Sequence, residues 1–370
     1  MNEHAEYVSP GHPDRLADAI AEGIVTAALR QKADSLVGVE VAVHRGAVFI
    51  DGRIATGDAH LDIEAVVRDV YKNAGYGGSW IPDPKKLRIT TDLCEEELPS
   101  KESDIRPFSD DQNLVIGYAC GDNRTNYLPT AHYVAGELGR KLFGTIRGDN
   151  KLADTFGPDF KILVSLEVNP KGCIWRQLVL SILHLAGLAS ELQHRILLPI
   201  IEGILSDLEE NGLSGVSSTF DPRKLILNGA GEFSIGGPEG DNGLSGKKLV
   251  IDHYGPSVPI GGGALSGKDP HKVDKCGALR ARQLAKQLVR AGVDEARVTL
   301  GWAPGGDTPF LVEAVTSKGG VRLQVPRDEL PPGDWFSIGR IVRELELTVR
   351  DWREDLLGGY FANPTNSWER

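Results

Sequence analysis

The sequence has few cysteines, no long apolar run and no surplus of basic residues, and each shortage removes a class of protein. Its four cysteines, Cys94, Cys120, Cys173 and Cys276, stand far apart with no C-x-x-C pair. That spacing excludes a zinc knuckle or a disulfide framework and predicts buried free thiols. No window approaches the roughly 18 consecutive apolar residues of a membrane span. The polar start MNEHAEYVSP lacks the apolar core of a secretory signal, so a cytoplasmic protein with no membrane partner is the expectation. A formal charge of −11 and a pI near 5.4 argue against a nucleic-acid surface, because phosphate backbones select basic faces. Any basic cluster in so acidic a chain is therefore informative.

What is present is ordinary globular material, 370 residues with 41% hydrophobic and 25% charged, enough for two or three domains. Three segments share one grammar, a proline followed by apolar residues at helical spacing, which suggests an internal repeat. Pro13 precedes Leu16, Ile20, Ile24 and Ala28; Pro129 precedes Val134, Leu138 and Leu142; Pro270 precedes Val273, Leu284 and Leu288, with Gly292 as a stop. Each keeps company with short runs that read as strands, Val39 to Val43, Ala47 to Ile50, Lys161 to Val168 and Lys248 to Ile251. The fold class predicted is α+β, with joints near 95–110, 212–222 and 229–247 dividing units at 1–105, 106–227 and 228–370.

Chemistry concentrates in Gly236 to Lys248 and Gly261 to Lys275, where glycines let backbone approach a bulky anion and lysines offset its charge. The spacing matches neither a Walker A loop nor a dinucleotide fingerprint. A flexible loop with solvated lysines is the bland alternative. Against it, Lys268 and Lys272 flank a helix start, where the dipole already favours an anion, and Asp274 adds an acid among bases. A carboxylate for Mg²⁺ with lysines for phosphate oxygens suits a phosphate chain. His12, Asp14, Arg15 and Asp18 crowd an earlier helix start in the same way, although taken alone His12 reads as a cap and Asp14 as a complement to the dipole.

Three runs, Ser9 to Asp18, Ile235 to Lys248 and Gly261 to Asp274, closely resemble signature stretches of S-adenosylmethionine synthetases, with Asp111-Gln112, Gly117-Tyr118-Ala119 and Gly157 to Lys161 extending the resemblance along the chain. The resemblance implies three similar α/β units related by pseudo-threefold symmetry. It also implies a homodimer or tetramer with active sites between subunits, two Mg²⁺ ions and a K⁺ ion. The implied reaction joins ATP and L-methionine, the sulfur attacking C5′ and expelling tripolyphosphate, which is then cut to pyrophosphate and phosphate. By resemblance His12, Lys161, Lys268 and Lys272 are catalytic, and Asp159, Lys161, Phe233, Lys247, Lys248, Lys268 and Lys272 hold the nucleotide and its phosphates. Asp14 and Asp274 would bind Mg²⁺, Glu40 the K⁺, and Asp111 and Asp241 would approach the methionine. A displacement that expels tripolyphosphate needs preorganised cations around the developing charge, which accounts for the lysines.

Departures from the family pattern gather at the sulfur substrate. Arg53 stands where a glutamate receives the methionine amino group, Glu102 where a glutamine is usual, and Pro304 where an isoleucine lines the pocket. Lys247 replaces an arginine, and Glu232 a basic residue beside Phe233. An ammonium facing Arg53 would be repelled, so one reading is relaxed or altered choice among methionine and thioether analogues, and another is that Arg53 binds a carboxylate of a different thioether. Alternatively, Arg53 and Glu102 form a swapped pair holding methionine as before. Two other readings stay open: an ATP- or tripolyphosphate-hydrolysing relative, and a non-catalytic regulatory subunit.

Overall fold

The computed structural model describes residues 1–57 and 60–370. Strand β1 (Asn2–Val8) leads into helix α1 (Pro13–Gln31), the hairpin β2 (Leu36–His44) and β3 (Ala47–Thr56), helix α2 (Ile63–Ala74) and strand β4 (Arg88–Glu97). A single turn, α3 (Ser100–Ser103), precedes β5 (Asn113–Cys120), α4 (Thr130–Gly148), the short α5 (Asn150–Thr155), the long hairpin β6 (Phe156–Asn169) and β7 (Gly172–His184), α6 (Ser190–Glu210) and β8 (Leu225–Leu227). The glycine-rich region then carries β9 (Asn242–Leu244) and α7 (Leu249–Asp252). After it come α8 (Val273–Arg290), β10 (Glu295–Trp302), β11 (Leu311–Lys318), β12 (Val321–Gln324) and α9 (Ile338–Glu344).

These elements form three four-stranded sheets, ordered β4-β3-β2-β9, β1-β6-β7-β8 and β12-β11-β10-β5. Each is built alike: a long helix (α1, α4 or α8) precedes an antiparallel hairpin, and a strand from elsewhere in the chain lies antiparallel to the hairpin's first strand. The first two sheets add a second helix and a parallel return strand, whereas in the third β12 turns straight back on β11. The architecture is α+β with a repeated unit, as the three proline-marked segments suggest. Its units exchange strands, and that exchange positions the chemistry: β9 pins the glycine-rich region onto the first sheet, beside the start of α1.

Local sequence explains the long helices. Pro13 occupies the first position of α1, where no N–H is needed, and the side chain of His12 accepts from the Asp14 amide. Leu16, Ile20, Ile24 and Ala28 are fully buried beneath it. In β2, buried Val37, Val39, Val41 and Val43 alternate with Gly38, Glu40, Ala42 and His44 on the open face. The first and third sheets share one core through α1 and α8, and the second packs its own around α4 and α6.

Of three local expectations, the one for the third long helix is met and the other two are corrected. Lys248 to Ile251 is not a strand: the Lys248 carbonyl accepts from the Ile251 and Asp252 amides, and the apolar run makes one turn of α7 that points buried Asp252 at Arg15. So short a run carries no period to separate the two states. Helix α8 begins at Val273, three residues beyond Pro270, and ends before Gly292, whose φ of 108° only glycine adopts freely. Cys94 is exposed on β4, while Cys173 and Cys276 are buried; all four thiols are free.

Candidate active site

The expected site residues fall into two clusters, each at a helix start. In the first, Asp14 is the second residue of α1 and nearly buried. Lys248 reaches its Oδ2 at 2.5 Å, the Leu244 amide donates to its Oδ1 at 3.0 Å, and Lys247 stands 3.6 Å away. Burial raises the Asp14 carboxyl, but these donors outweigh it and hold the group below its ordinary value. Close approach by β9 is possible because Gly243 lacks a side chain; a Cβ there would lie 2.2 Å from the Pro13 carbonyl.

His12 caps the same helix start. Its Nδ1 accepts from the Asp14 amide at 3.2 Å, which places the ring proton on Nε2. Burial and then the Lys248 ammonium push its pKa down to about 4, so the imidazole is a neutral donor at physiological pH. Lys161, on β6, is half-exposed and 3.4 Å from Glu6. Asp159 is buried, with its Oδ2 accepting from the Gly237 amide at 2.7 Å, and burial pushes its carboxyl up to about 7 despite that bond, with Asp241 adding to the rise. Phe233 donates its amide to His184 Nε2 at 3.1 Å and lays its ring against Gly236. Behind the cluster, Arg15 bonds Asp252 at 2.7 Å and Asp18 at 3.2 Å; Asp18 also accepts from the Gly246 amide at 2.8 Å. Burial raises the Asp18 carboxyl to about 8. Sequence reading placed Arg15 and Asp18 at this helix start but did not pair them with Asp252 or the Gly246 amide.

In the second cluster Asp274 is again the second residue of its helix, α8. Lys268 meets its Oδ2 at 3.0 Å, whereas Oδ1 is buried without a hydrogen-bond partner. Gly263 leaves room in front of that oxygen: a Cβ there would lie 1.7 Å from it. Lys272 immediately precedes the helix and pairs with Asp110 at 2.5 Å, a partner the sequence did not mark. An open groove of about 550 Å³ runs from this cluster past Asp111, Asn113, Gly262, Trp302 and Pro304.

The remaining expected residues divide between the two. Asp241 lies away from Asp111 and Pro304, in a separate groove of about 630 Å³ with Phe49, Arg88 and Asn242. Glu40, exposed on β2, accepts from the Ser245 hydroxyl at 2.6 Å. Arg53 pairs in register with Gly38, the residue that bridges to Lys268, so it sits on the flank of the second cluster. Glu102 does meet Arg53, accepting from Nη2 at 2.8 Å, and Glu96, which the sequence did not mark, accepts from the same Nη2 at 2.5 Å and from Nε at 2.8 Å.

Among the described residues no three His, Cys, Asp or Glu side chains converge as a metal cage. The donors fit Mg²⁺ differently: a single carboxylate oxygen with an open lone pair, at Asp274, suits an ion that takes its other ligands from phosphate and water. No helix among the described residues is long and apolar enough to cross a membrane.

Comparison with known proteins agrees with this geometry. Residues 3–96 match the S-adenosylmethionine synthetase N-terminal domain, and residues 235–370 match the C-terminal domain of the same family. The fold is similar to that of an S-adenosylmethionine synthetase from Campylobacter jejuni described as unusual, at a TM-score of 0.83 and 26% identity over all of this chain and 96% of the other. The chain belongs to the S-adenosylmethionine synthetase family, as a divergent member.

Proposed function

We propose that the protein is an adenosyltransferase that joins ATP to L-methionine or a close thioether analogue, forming a sulfonium and releasing tripolyphosphate for cleavage to pyrophosphate and phosphate. The observation that carries this reading is the repeated helix start. Lys247 and Lys248 with Asp14, and Lys268 and Lys272 with Asp274, offer two sets of fixed cations, each with one carboxylate. Such an arrangement stabilises charge that develops on a departing polyphosphate. Mg²⁺, when bound at Asp274 and Asp14, would neutralise phosphate oxygens and orient the chain for in-line departure.

The chain's own residues have separable tasks. Lys248 gives up Asp14 for phosphate without crossing bulk solvent, because both are largely shielded. His12 presents its Nε2 proton as a neutral donor to the oxygen on C5′. Phe233 offers an aromatic face for the adenine, and Glu40 a carboxylate for a monovalent ion such as K⁺.

Within one chain the two clusters are separated along β2 from Gly38 to Ala42, which pairs with Leu244. At 3.3 Å per residue that is about 13 Å, too far for both to grip one phosphate. A second copy on the open face of the first sheet would bring one chain's first cluster to its partner's second, so the active form is read as a homodimer or larger.

The test is incubation of the purified protein with ATP, Mg²⁺, K⁺ and methionine, or a panel of thioethers, with the sulfonium product detected by mass. Phosphate release without sulfonium from any thioether would overturn the reading in favour of a hydrolase. Silence in both channels would favour a regulatory subunit.

A further inference from the structure

Arg53, Glu96 and Glu102 come from β3, β4 and α3 and meet at the edge of the second cluster. Arg53 Nε and Nη2 both donate to one Glu96 oxygen, at 2.8 and 2.5 Å, and Nη2 also reaches both Glu102 oxygens at 2.8 Å. The three groups are roughly one-third exposed, so their charges are screened only in part. Their position is set by backbone. Gly38, across the hairpin from Arg53, would place a Cβ 3.5 Å from the Lys272 side chain, and Arg106, just past α3, binds buried Asp269 between Lys268 and Lys272. The cluster and the polyphosphate lysines are thus one assembly.

Charge counting gives the consequence. Arg53 and Glu102 alone would be a neutral pair, indifferent to an ammonium. Glu96 accepts from Nε and from the same Nη2 that reaches Glu102, so two carboxylates share one cation and the unit carries a formal charge of −1. This is the charge of a single glutamate, reached with three residues. Resting on the reading that this flank receives the thioether, we propose that Glu96 sets the charge of the Glu96–Arg53–Glu102 unit, so that it selects thioethers bearing a free ammonium over those bearing only a carboxylate. Arg53 then positions Glu102 rather than binding a substrate anion.

The experiment is calorimetric titration of the full-length protein, with Mg²⁺ and a non-hydrolysable ATP analogue, by L-methionine and by 3-(methylthio)propanoate, which keeps the sulfur and the carboxylate but lacks the amino group. The wild type is expected to prefer methionine by about tenfold or more, since opposite charges in a partly shielded site are worth at least that factor. Glu96→Gln should bring the two ligands within about twofold of each other, and Glu96→Asp, which keeps the charge, should retain most of the preference. Because the readout is a ratio on one sample, a misfolded fraction cancels. An unchanged ratio in Glu96→Gln, a wild type that prefers the propanoate, or a wild type that binds neither would each overturn the proposal. Methionine binding with the expected ratio but without sulfonium formation would instead leave this assignment standing and defeat adenosyl transfer.

Discussion

Helices α1 and α8 start with the same arrangement, an acid at the second position with lysines around it, yet the two acids are in opposite states. Asp14 has donors on both oxygens and is 3% exposed; Asp274 is paired on one oxygen and keeps the other buried and open. The third equivalent helix, α4, has no acid there at all, and Glu3 of β1 supplies the carboxylate for its second amide at 3.0 Å. One scaffold repeated three times therefore holds a saturated site, an unsaturated site and a closed one. A helix start is only a predisposition toward anions and metals; what the crossing strand and loop bring to it decides the outcome.

The two lysine-bearing helix starts are linked at their cores. Glu22 of α1 and Lys275 of α8 form a fully buried ion pair at 2.8 Å, with Tyr360 donating to Glu22 at 2.6 Å and the ammonium 4.2 Å above the Trp352 ring. The largest expected effect comes from breaking that link. Lys275→Met leaves Glu22 buried and unpaired, at a cost of about 3–5 kcal/mol in chemical denaturation, and adding Glu22→Gln should recover most of it. A cost under about 1 kcal/mol would mean that the helices are held by their apolar contacts alone.

Next in size is the contrast between the two acids themselves. Asp274→Ala should raise the Mg²⁺ concentration needed for ATP-analogue binding and lower turnover by about 10²–10³-fold, the loss typical of a fixed charge at a reacting oxyanion. Asp14→Ala should lower turnover comparably but also release Lys247 and Lys248. Its ATP-analogue affinity at low Mg²⁺ should therefore hold or improve. Identical Mg²⁺ titrations for the two variants would erase the distinction between a saturated and an unsaturated site.

The closed helix start gives a stability signal. His132, the third residue of α4, is buried, and burial, with Arg282 nearby, pushes its pKa down to about 4. Unfolded, it titrates near 6.5, so the folded state binds its proton more weakly. Its contribution is fully present above pH 6.5 and is lost as pH falls toward 4, by about 3 kcal/mol for a shift of this size. Melting curves between pH 7 and 4 should flatten for His132→Asn relative to the wild type; parallel curves would remove His132 from the account.

How far the sequence reveals this depends on whether information is local. The helix starts were legible because proline, a cap and an acid lie within five residues of one another, as in His12-Pro13-Asp14. The open valence of Asp274 was not, since it depends on Gly263 and on the loop before α8. Arg53 and Glu102 could be suspected of pairing, but Glu96 could not be added, because its approach is fixed by the parallel register of β3 and β4. Nor did hydrophobic pattern reveal the face of α8: Lys275, Arg280, Arg282 and Lys286 are all buried against charged partners, Lys286 and Arg282 sharing buried Glu369 near the chain's end. Strand exchange is the general cause, since β1, β5 and β9 each lie in a sheet whose hairpin is far away in sequence.

The smallest expected effect concerns Lys247. It is half-exposed and 3.6 Å from Asp14, whereas Lys248 is more shielded and 2.5 Å away. The two neighbours thus divide between them a loose contact and a tight one. Lys247→Arg would substitute a planar fork able to hold two phosphate oxygens at once, on a side chain with room to turn. An increase in ATP affinity of less than about tenfold is expected, without change in the thioether preference, because a gain confined to the phosphates binds ground and transition states alike. Lys248→Arg should do the reverse, since a bulkier head cannot enter the space between Asp14 and His12, and turnover should fall. If both substitutions acted equally, the first cluster would be a diffuse patch of positive charge and the contrast with the geometrically defined Asp274 site would be greater than the distances suggest.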